Sequence, residues 1–261
     1  MYCRICFGIT NRRYLLHSHR YDLAVQTYYC HVCDAFFSDG EPVNYDDIND
    51  GDIELTSYYL QYEQAIRWRY QKVFSFTESL VAPGKFLDIG SGMGFSLEIA
   101  KQRGWIAVGL EPNTALTIHA KGRELDINNA YLSGETTGEY DFILIDNVLE
   151  HVLTPSDFLK HATRLLAHSG VMLVAVPPMD WLRKGFGAFS YVRDSITVPQ
   201  INIFGEVDQH VNMFSRKAMG QLLQSVGLRL LDVRFHHSLA YNNALFRSLG
   251  LDDGYYFVVR P

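Results

Sequence analysis

FLDIGSGMG, the stretch from Phe86 to Gly94, decides the fold. Its first half is a short apolar run and its second half is Gly90-x-Gly92-x-Gly94, so a buried strand passes directly into a glycine turn. Glycine tolerates backbone angles that a Cβ forbids and lets main-chain N–H groups approach a ligand. Towards the C-terminus the alternation continues: a helical stretch from Phe95 to Arg103, the strand WIAVGLE, a helix from Thr114, the strand YDFILID, a helix over Pro155 to Leu166, and the strand VMLVAVP. Strands alternating with helices predict βαβ units and an α/β architecture whose parallel sheet is covered on both faces.

Two acidic residues flank the glycine turn. The strand that starts at Trp105 ends on Glu111, where a carboxylate can accept hydrogen bonds from both ribose hydroxyls of an adenosine. Asp88 stands two residues ahead of Gly90, and a carboxylate there suits a ligand carrying an ammonium and a sulfonium while repelling a pyrophosphate. Dinucleotide sites use G-x-G-x-x-G to set a helix N-terminus against the pyrophosphate, and this loop reads differently. The alternative for Asp88 is a carboxylate that only stabilises its loop.

On the N-terminal side, Tyr59, Tyr62, Ala65, Ile66, Tyr70, Val73 and Phe74 recur at helical spacing between Thr56 and Leu80, marking one apolar face of a helix or of two consecutive ones. Core packing is the expected use of this aromatic stripe, with a cap on a ligand pocket as the other. Residues 44–54, NYDDINDGDIE, form an acidic, turn-rich connector. Beyond the sheet pattern, residues 180–208 are aromatic and aperiodic, which marks a candidate lid or substrate loop. Ser215 is placed to cap a helix running to about Val226 and ending at Gly227, and LRLLDVRF and YYFVVR read as strands.

All four cysteines lie in the first 33 residues, as Cys3-x2-Cys6 and Cys30-x2-Cys33. Each pair puts two thiolates on one tight knuckle, and two knuckles supply the tetrahedral sulfur cage that zinc favours, with Zn–S distances of about 2.3 Å. Two disulfides or a redox pair are the alternatives; a reducing compartment and the lack of an adjoining βαβ unit weigh against them. A small module buries little apolar surface, so a structural metal also accounts for its folding. His17, His19 and His31 could each replace a cysteine, although four thiolates already complete a closed site. The domain organisation expected is therefore a zinc-binding module over 1–43, an acidic connector and aromatic helical segment over 44–80, and the α/β domain over 81–261.

The formal net charge of -6 and pI near 5.9 give no basic footprint and argue against a nucleic-acid partner. The start MYCRICFGIT lacks the basic and apolar regions of a secretion signal, and no apolar run approaches bilayer length, so a cytoplasmic protein without membrane partners is expected.

D-I-G-S-G-M-G followed by V-G-L-E-P-N resembles motifs I and II of class I methyltransferases that use S-adenosylmethionine. YDFILIDNVLEHV (Tyr140 to Val152) is similar to the strand-four segment of their small-molecule branch, HSGVMLVAVPP from His168 to the strand after it, and HVNMFS from His210 to the H-x-x-x-F-S stretch before the next helix. The likeness covers about Tyr58 to the C-terminus. It implies a Rossmann-like, doubly wound and mostly parallel sheet with an antiparallel last strand, and S-adenosylmethionine as cofactor. On these positions it implies that Asp88, Gly90, Ser91, Gly92 and Gly94 lie along the methionine part, that Glu111 holds the ribose, and that Asn147, also a cofactor-binding candidate, sits at the mouth of the reacting centre. Residues near Gly134 and Glu135 would border the adenine, where a short segment between Tyr131 and Tyr140 departs from the family pattern.

Methyl transfer is an in-line displacement at an already activated carbon, so only the acceptor requires deprotonation. His151 and His210 are the candidate bases, because imidazole titrates near neutrality and both fall where loops at the C-terminal edge of a parallel sheet converge. Each could instead hydrogen-bond the scaffold, and Glu150 with His151 could hold a divalent metal, as is suspected in quinone-pathway relatives. A four-cysteine module ahead of this fold resembles the sugar C-methyltransferases acting on nucleotide-linked deoxysugars, and also a ribosomal-RNA guanine methyltransferase group. Acidic charge favours the former, so a small polar acceptor such as a nucleotide-linked sugar or another biosynthetic intermediate is expected. Ribosomal RNA, and a methyltransferase-like module that binds without turnover, are the alternatives.

Overall fold

The computed structural model describes residues 1–10, 12–18, 23–39, 56–177, 210–235 and 255–261. Strands β1 (Arg12–Ser18), β2 (Leu23–Cys30) and β3 (Ala35–Ser38) form an antiparallel meander at the N-terminus. A short helical stretch at 56–61 is followed by α1 (Glu63–Thr77). Then β4 (Lys85–Ile89), α2 (Phe95–Gln102), β5 (Ile106–Leu110), α3 (Thr114–Lys121), β6 (Ile127–Asn128), β7 (Tyr140–Asp146), α4 (Pro155–Arg164) and β8 (Leu166–Val176) alternate as the sequence predicts. The described chain ends with β9 (Asn212–Phe214), α5 (Arg216–Ser225), β10 (Arg229–Phe235) and β11 (Tyr255–Arg260).

Seven strands form one sheet in the order β10-β11-β8-β7-β4-β5-β6. The five from β8 to β6 are parallel, and β11 enters antiparallel between β8 and β10. This is the Rossmann-like sheet with an antiparallel last strand that the resemblance implies. β8 starts at Leu166 rather than Val171, because Leu166 pairs with Tyr140 before a register shift, and α4 stops correspondingly at Arg164. The acidic connector at 44–54 and the candidate lid at 180–208 lie outside the described residues.

Alternation along the strands sorts two cores. Leu87, Ile89, Ile143 and Ile145 face α4 and α5, whereas Phe86, Phe142 and Leu144 face α1 and α2. On the second face Phe74 of α1 stands edge-on to Phe86 and Phe142 at 5.1 and 5.6 Å, with Trp105 alongside. The aromatic stripe is thus mostly core: Ile66, Tyr70, Val73 and Phe74 are buried, while Tyr62 is exposed.

β9 carries no strand signature in the sequence, yet it completes the N-terminal sheet in the order β1-β2-β3-β9, with Ala35 opposite Phe214 and Phe37 opposite Asn212. Cys3, Ile5, Cys30, Cys33 and Phe37 share a buried cluster with Ala218, Met219, Leu222 and Leu223 of α5. The cysteine-bearing segment is therefore built onto the large sheet's own helices.

Candidate active site and cysteine cluster

The glycine turn rises from the C-terminal end of β4. Gly90 and Ser91 donate main-chain hydrogen bonds to Leu110 O at the end of β5, which ties the two strand ends together. Gly90 and Gly92 have φ of +79° and +54°, and a Cβ at either would collide, with Val148 at 2.3 Å and with the Tyr59 hydroxyl at 2.6 Å. Only glycine meets both demands, left-handed backbone and close neighbours. Tyr59, from the helical stretch ahead of α1, thus sits against the turn.

Glu111 is buried, and its carboxylate accepts from Gly92 N at 2.7 Å and Asn113 N at 2.9 Å. It fixes the crest of the loop to the start of α3, where Asn113 caps the helix by accepting from Leu116 N at 2.9 Å. Burial raises its pKa, and those two N–H donors oppose the rise.

Asp88 lies beneath the turn on the α1-facing side of the sheet, 1% exposed. One carboxylate oxygen accepts from the Ser96 hydroxyl. The other, Oδ1, is buried without a hydrogen-bond partner among the described residues, and so is Ser91 Oγ. Burial pushes Asp88 up to about 7; the Ser96 hydroxyl opposes this, and the Asp146 and Glu111 carboxylates add to it. Asp146, at the end of β7, pairs with Arg69 of α1 at 2.8 Å. Asp88, Glu111 and Asp146 therefore gather at the C-terminal edge of β4, β5 and β7, with Arg69 paired to Asp146. Arg69 and Asp146 are not singled out by the sequence, whereas Tyr59 belongs to the aromatic stripe whose alternative use is a cap on a ligand pocket. Asp146 was legible as the polar residue ending an apolar strand, but nothing in the sequence indicates which turn of α1 faces the loop.

The acceptor-side candidates lie just beyond β7. Asn147 is exposed in the left-handed region at φ +55°, which asparagine tolerates, and donates to Asp146 Oδ1 at 3.2 Å. A single 3-10 turn, Leu149–His151, follows with Glu150 buried. His151 and His210 meet edge to face at 4.8 Å between ring centroids. Glu150, His151 and His210 bring one ligand atom each to within 4.8 Å of one another, a set that could also hold a cation. The 133–136 turn, expected near adenine, is held to α4 by Arg164, which donates to Gly134 O at 2.9 Å and Thr136 O at 2.7 Å. A depression of about 420 Å³ around Lys85, Ile106, Asp141 and His168 opens at the opposite edge of the sheet, where the parallel strands begin. Ligands of open α/β sheets bind at the carboxyl ends of strands, so this depression is not the candidate site.

The methyltransferase-domain family model matches residues 61–233, two thirds of the chain. The chain belongs to that family. Ubiquinone biosynthesis O-methyltransferase from Caulobacter sp. (strain K31) is 34% identical over 101 residues, 35% of this chain and 40% of that protein. The chain thus spans well under half the length of the curated relatives it matches. Among solved structures, the plantazolicin methyltransferase BpumL in complex with SAH superposes with a TM-score of 0.58 at 16% identity, covering 83% of this chain and 92% of that one. Magnesium protoporphyrin IX methyltransferase (ChlM) from Synechocystis PCC 6803 with bound SAM gives 0.54 at 16% identity over 83% and 95%. At these identities the likeness establishes the fold.

Attached to this methyltransferase domain, the four cysteines are free thiols whose sulfurs all lie within 4.8 Å of one another. The two knuckles are near copies. Cys6 N and Cys33 N point at the sulfurs of Cys3 and Cys30, at 3.5 and 3.4 Å. Phe7 N and Asp34 N donate to Cys3 O and Cys30 O, and Phe7 and Asp34 both adopt positive φ. Four thiols gathered this closely could hold a metal ion. His31 is exposed. The side chain at position 17 and residue 19 lie outside the described residues.

Proposed function

We propose that this chain transfers a methyl group from S-adenosylmethionine to a small polar acceptor, and that a structural zinc held by Cys3, Cys6, Cys30 and Cys33 supports the fold. One observation carries the cofactor assignment: Asp88 Oδ1 and Ser91 Oγ are buried without partners at a glycine turn that Glu111 pins from the adjoining strand. Burying polar atoms unpaired costs about 1–3 kcal/mol each, which a ligand's ammonium and hydroxyls would recover. Asp88 and Gly90 to Gly94 would hold the amino-acid end, and Glu111 would take the ribose hydroxyls on its remaining lone pairs. The bound sulfonium supplies the activated methyl group; the protein's task is to orient the acceptor, exclude water and accept its proton.

That last task falls to the edge where Asn147, His151 and His210 meet. His151 serves as base or positioning group, with His210 across from it. The acidic net charge and the small-molecule character of the relatives' names favour a small polar acceptor, such as a nucleotide-linked sugar or another biosynthetic intermediate, over ribosomal RNA. The protein would then act in the cytoplasm, and among the described residues no helix is long and apolar enough to cross a membrane. A screen of sugar nucleotides, phenols and RNA with a methyl-labelled donor tests the assignment. Label in a small hydroxyl compound supports it, and label in RNA alone contradicts it. Loss of transfer under a chelator that spares the zinc, restored by magnesium, would move Glu150, His151 and His210 from proton transfer to metal binding.

A further inference from the structure

Arg4 lies inside the first knuckle, between Cys3 and Cys6, yet its guanidinium reaches across to the strand that carries the end of the acceptor-side loop. Nη1 donates to Val211 O at 2.5 Å and to Asn212 Oδ1 at 2.9 Å, and Nη2 donates to Ser38 O at 2.9 Å. Ser38 N in turn donates to Val211 O at 3.1 Å. Asn212 is 1% exposed and faces both ways. Its oxygen takes the Arg4 bond, while its Nδ2 donates to Leu149 O at 3.1 Å and Val152 O at 2.6 Å. Those two carbonyls bracket the turn that carries Glu150 and His151, and His210 immediately precedes Val211.

We propose that the cysteine knuckle positions the acceptor side of the active site, with Arg4 and Asn212 as the positioning residues that set His151 against His210. The inference rests on the assignments of zinc to the cysteines and of the acceptor to these histidines. Its physical basis is the small size of the knuckle. Residues 1–10 form a small turn closed by hydrogen bonds from Cys3 N to Gly8 O at 2.8 Å, Phe7 N to Cys3 O at 3.0 Å and Thr10 N to Met1 O at 3.1 Å, and a metal shared by Cys3 and Cys6 would tie the backbone of Arg4 to the second knuckle as well. A planar guanidinium then meets three fixed acceptors, a geometry that a lysine or a mobile arginine would not reproduce. Asn212 converts this clamp into two bonds on the catalytic-edge turn. The cofactor side has its own anchors in β4, β5 and Glu111, so the relay acts chiefly on the acceptor side.

The test uses the full chain and needs no acceptor. Asn212→Asp retains an oxygen for Arg4 but presents a second oxygen to Leu149 O and Val152 O; Arg4→Met leaves every cysteine in place and removes the clamp. Zinc content, SAH affinity by calorimetry, and the imaging of His151 and His210 through their imidazole ¹⁵N–¹H signals, with and without SAH, are measured for each. Both variants are expected to keep their zinc and their SAH affinity while both imidazole signals move. Withdrawing zinc from the unaltered protein with a mercurial and a chelator is expected to move the same two signals. Once an acceptor is identified, turnover should fall about 10²-fold, the cost of a misplaced reacting group, with the KM for S-adenosylmethionine unchanged. Unmoved imidazole signals in both variants overturn the relay, and signals insensitive to zinc withdrawal overturn the knuckle's part in it. If Arg4→Met does not fold, Asn212→Asp and zinc withdrawal still decide. Protein without zinc would sink the inference together with the zinc assignment, whereas zinc-replete protein that ignores SAH would fail the cofactor assignment alone.

Discussion

Asp88 is a carboxylate that burial has lifted to about 7, far above the ordinary value near 3.9. Because the folded pKa exceeds the unfolded one, ionisation opposes folding. The contribution of Asp88 to the stability of the ligand-free protein should therefore decline as pH rises from about 4 to about 7 and stay at the lower level above that, read as the difference between the unaltered protein and Asp88→Asn. A cationic ligand end beside Oδ1 reverses the preference and drives the proton off. Binding of SAH near pH 6.5 is expected to release a proton from the unaltered protein and none from Asp88→Asn. Calorimetry in two buffers of different ionisation enthalpy measures this, and equal release by both proteins would remove Asp88 from the site. His151→Ala should reduce turnover by roughly 10²–10⁴-fold with cofactor affinity nearly intact if His151 takes the acceptor's proton. His210→Ala is the matched comparison, and full activity in the His151 variant would end its role. Asp88 and Glu111 could be found in the sequence because strand ends fix their place and spacing names their partners. Arg69 and Asn212 could not, since each reaches the site from a distant element whose rotation is settled only by packing; Tyr59 was visible only as one of a stripe of aromatics.

At the scale of elements, the parallel strands were legible because each is a continuous apolar run bounded by helices, the signature of a strand buried on both faces. β6 and β9 are too short to show a period, and β9 exists because β3 offers it an edge. α5 was marked in advance by Ser215, whose hydroxyl accepts from Ala218 N at 3.1 Å. Removing that cap with Ser215→Ala should cost about 1 kcal/mol, read as a lower denaturant midpoint with an unchanged slope. A larger loss with a changed slope would mean that Ser215 holds β9 against the cysteine module as well as capping the helix. The aromatic stripe divides along the same lines. Phe74 and Tyr70 lock α1 to the sheet, and the division of labour with Tyr59 follows from the break between the 56–61 turn and α1, which the spacing alone left as one helix or two.

For the molecule as a whole, two assemblies share one buried cluster: the sheet that carries the glycine turn, and the four-stranded sheet that β9 completes. Purified protein should hold about one zinc per chain, and Cys30→Ser should lower both zinc content and the midpoint of the main unfolding transition, because the cysteines pack against α5 rather than on a separate tether. Zinc content unchanged in that variant would place the metal elsewhere. The family, the alternation of strands and helices and the position of the cofactor edge follow from residues that sit close together in the chain; the joining of the two assemblies does not, since it depends on pairings between residues 35–37 and 212–214. The central claim, that Asp88, Glu111 and the turn between them form an S-adenosylmethionine site, is tested most directly by titration calorimetry of SAH against the unaltered protein and Glu111→Ala, with NAD as the control. The account predicts one SAH per chain, no comparable NAD binding, and a loss of about 1.5–3 kcal/mol in the variant, whose ribose hydroxyls lose their charged acceptor. Equal affinity in the two proteins, or preferential binding of NAD, would contradict it.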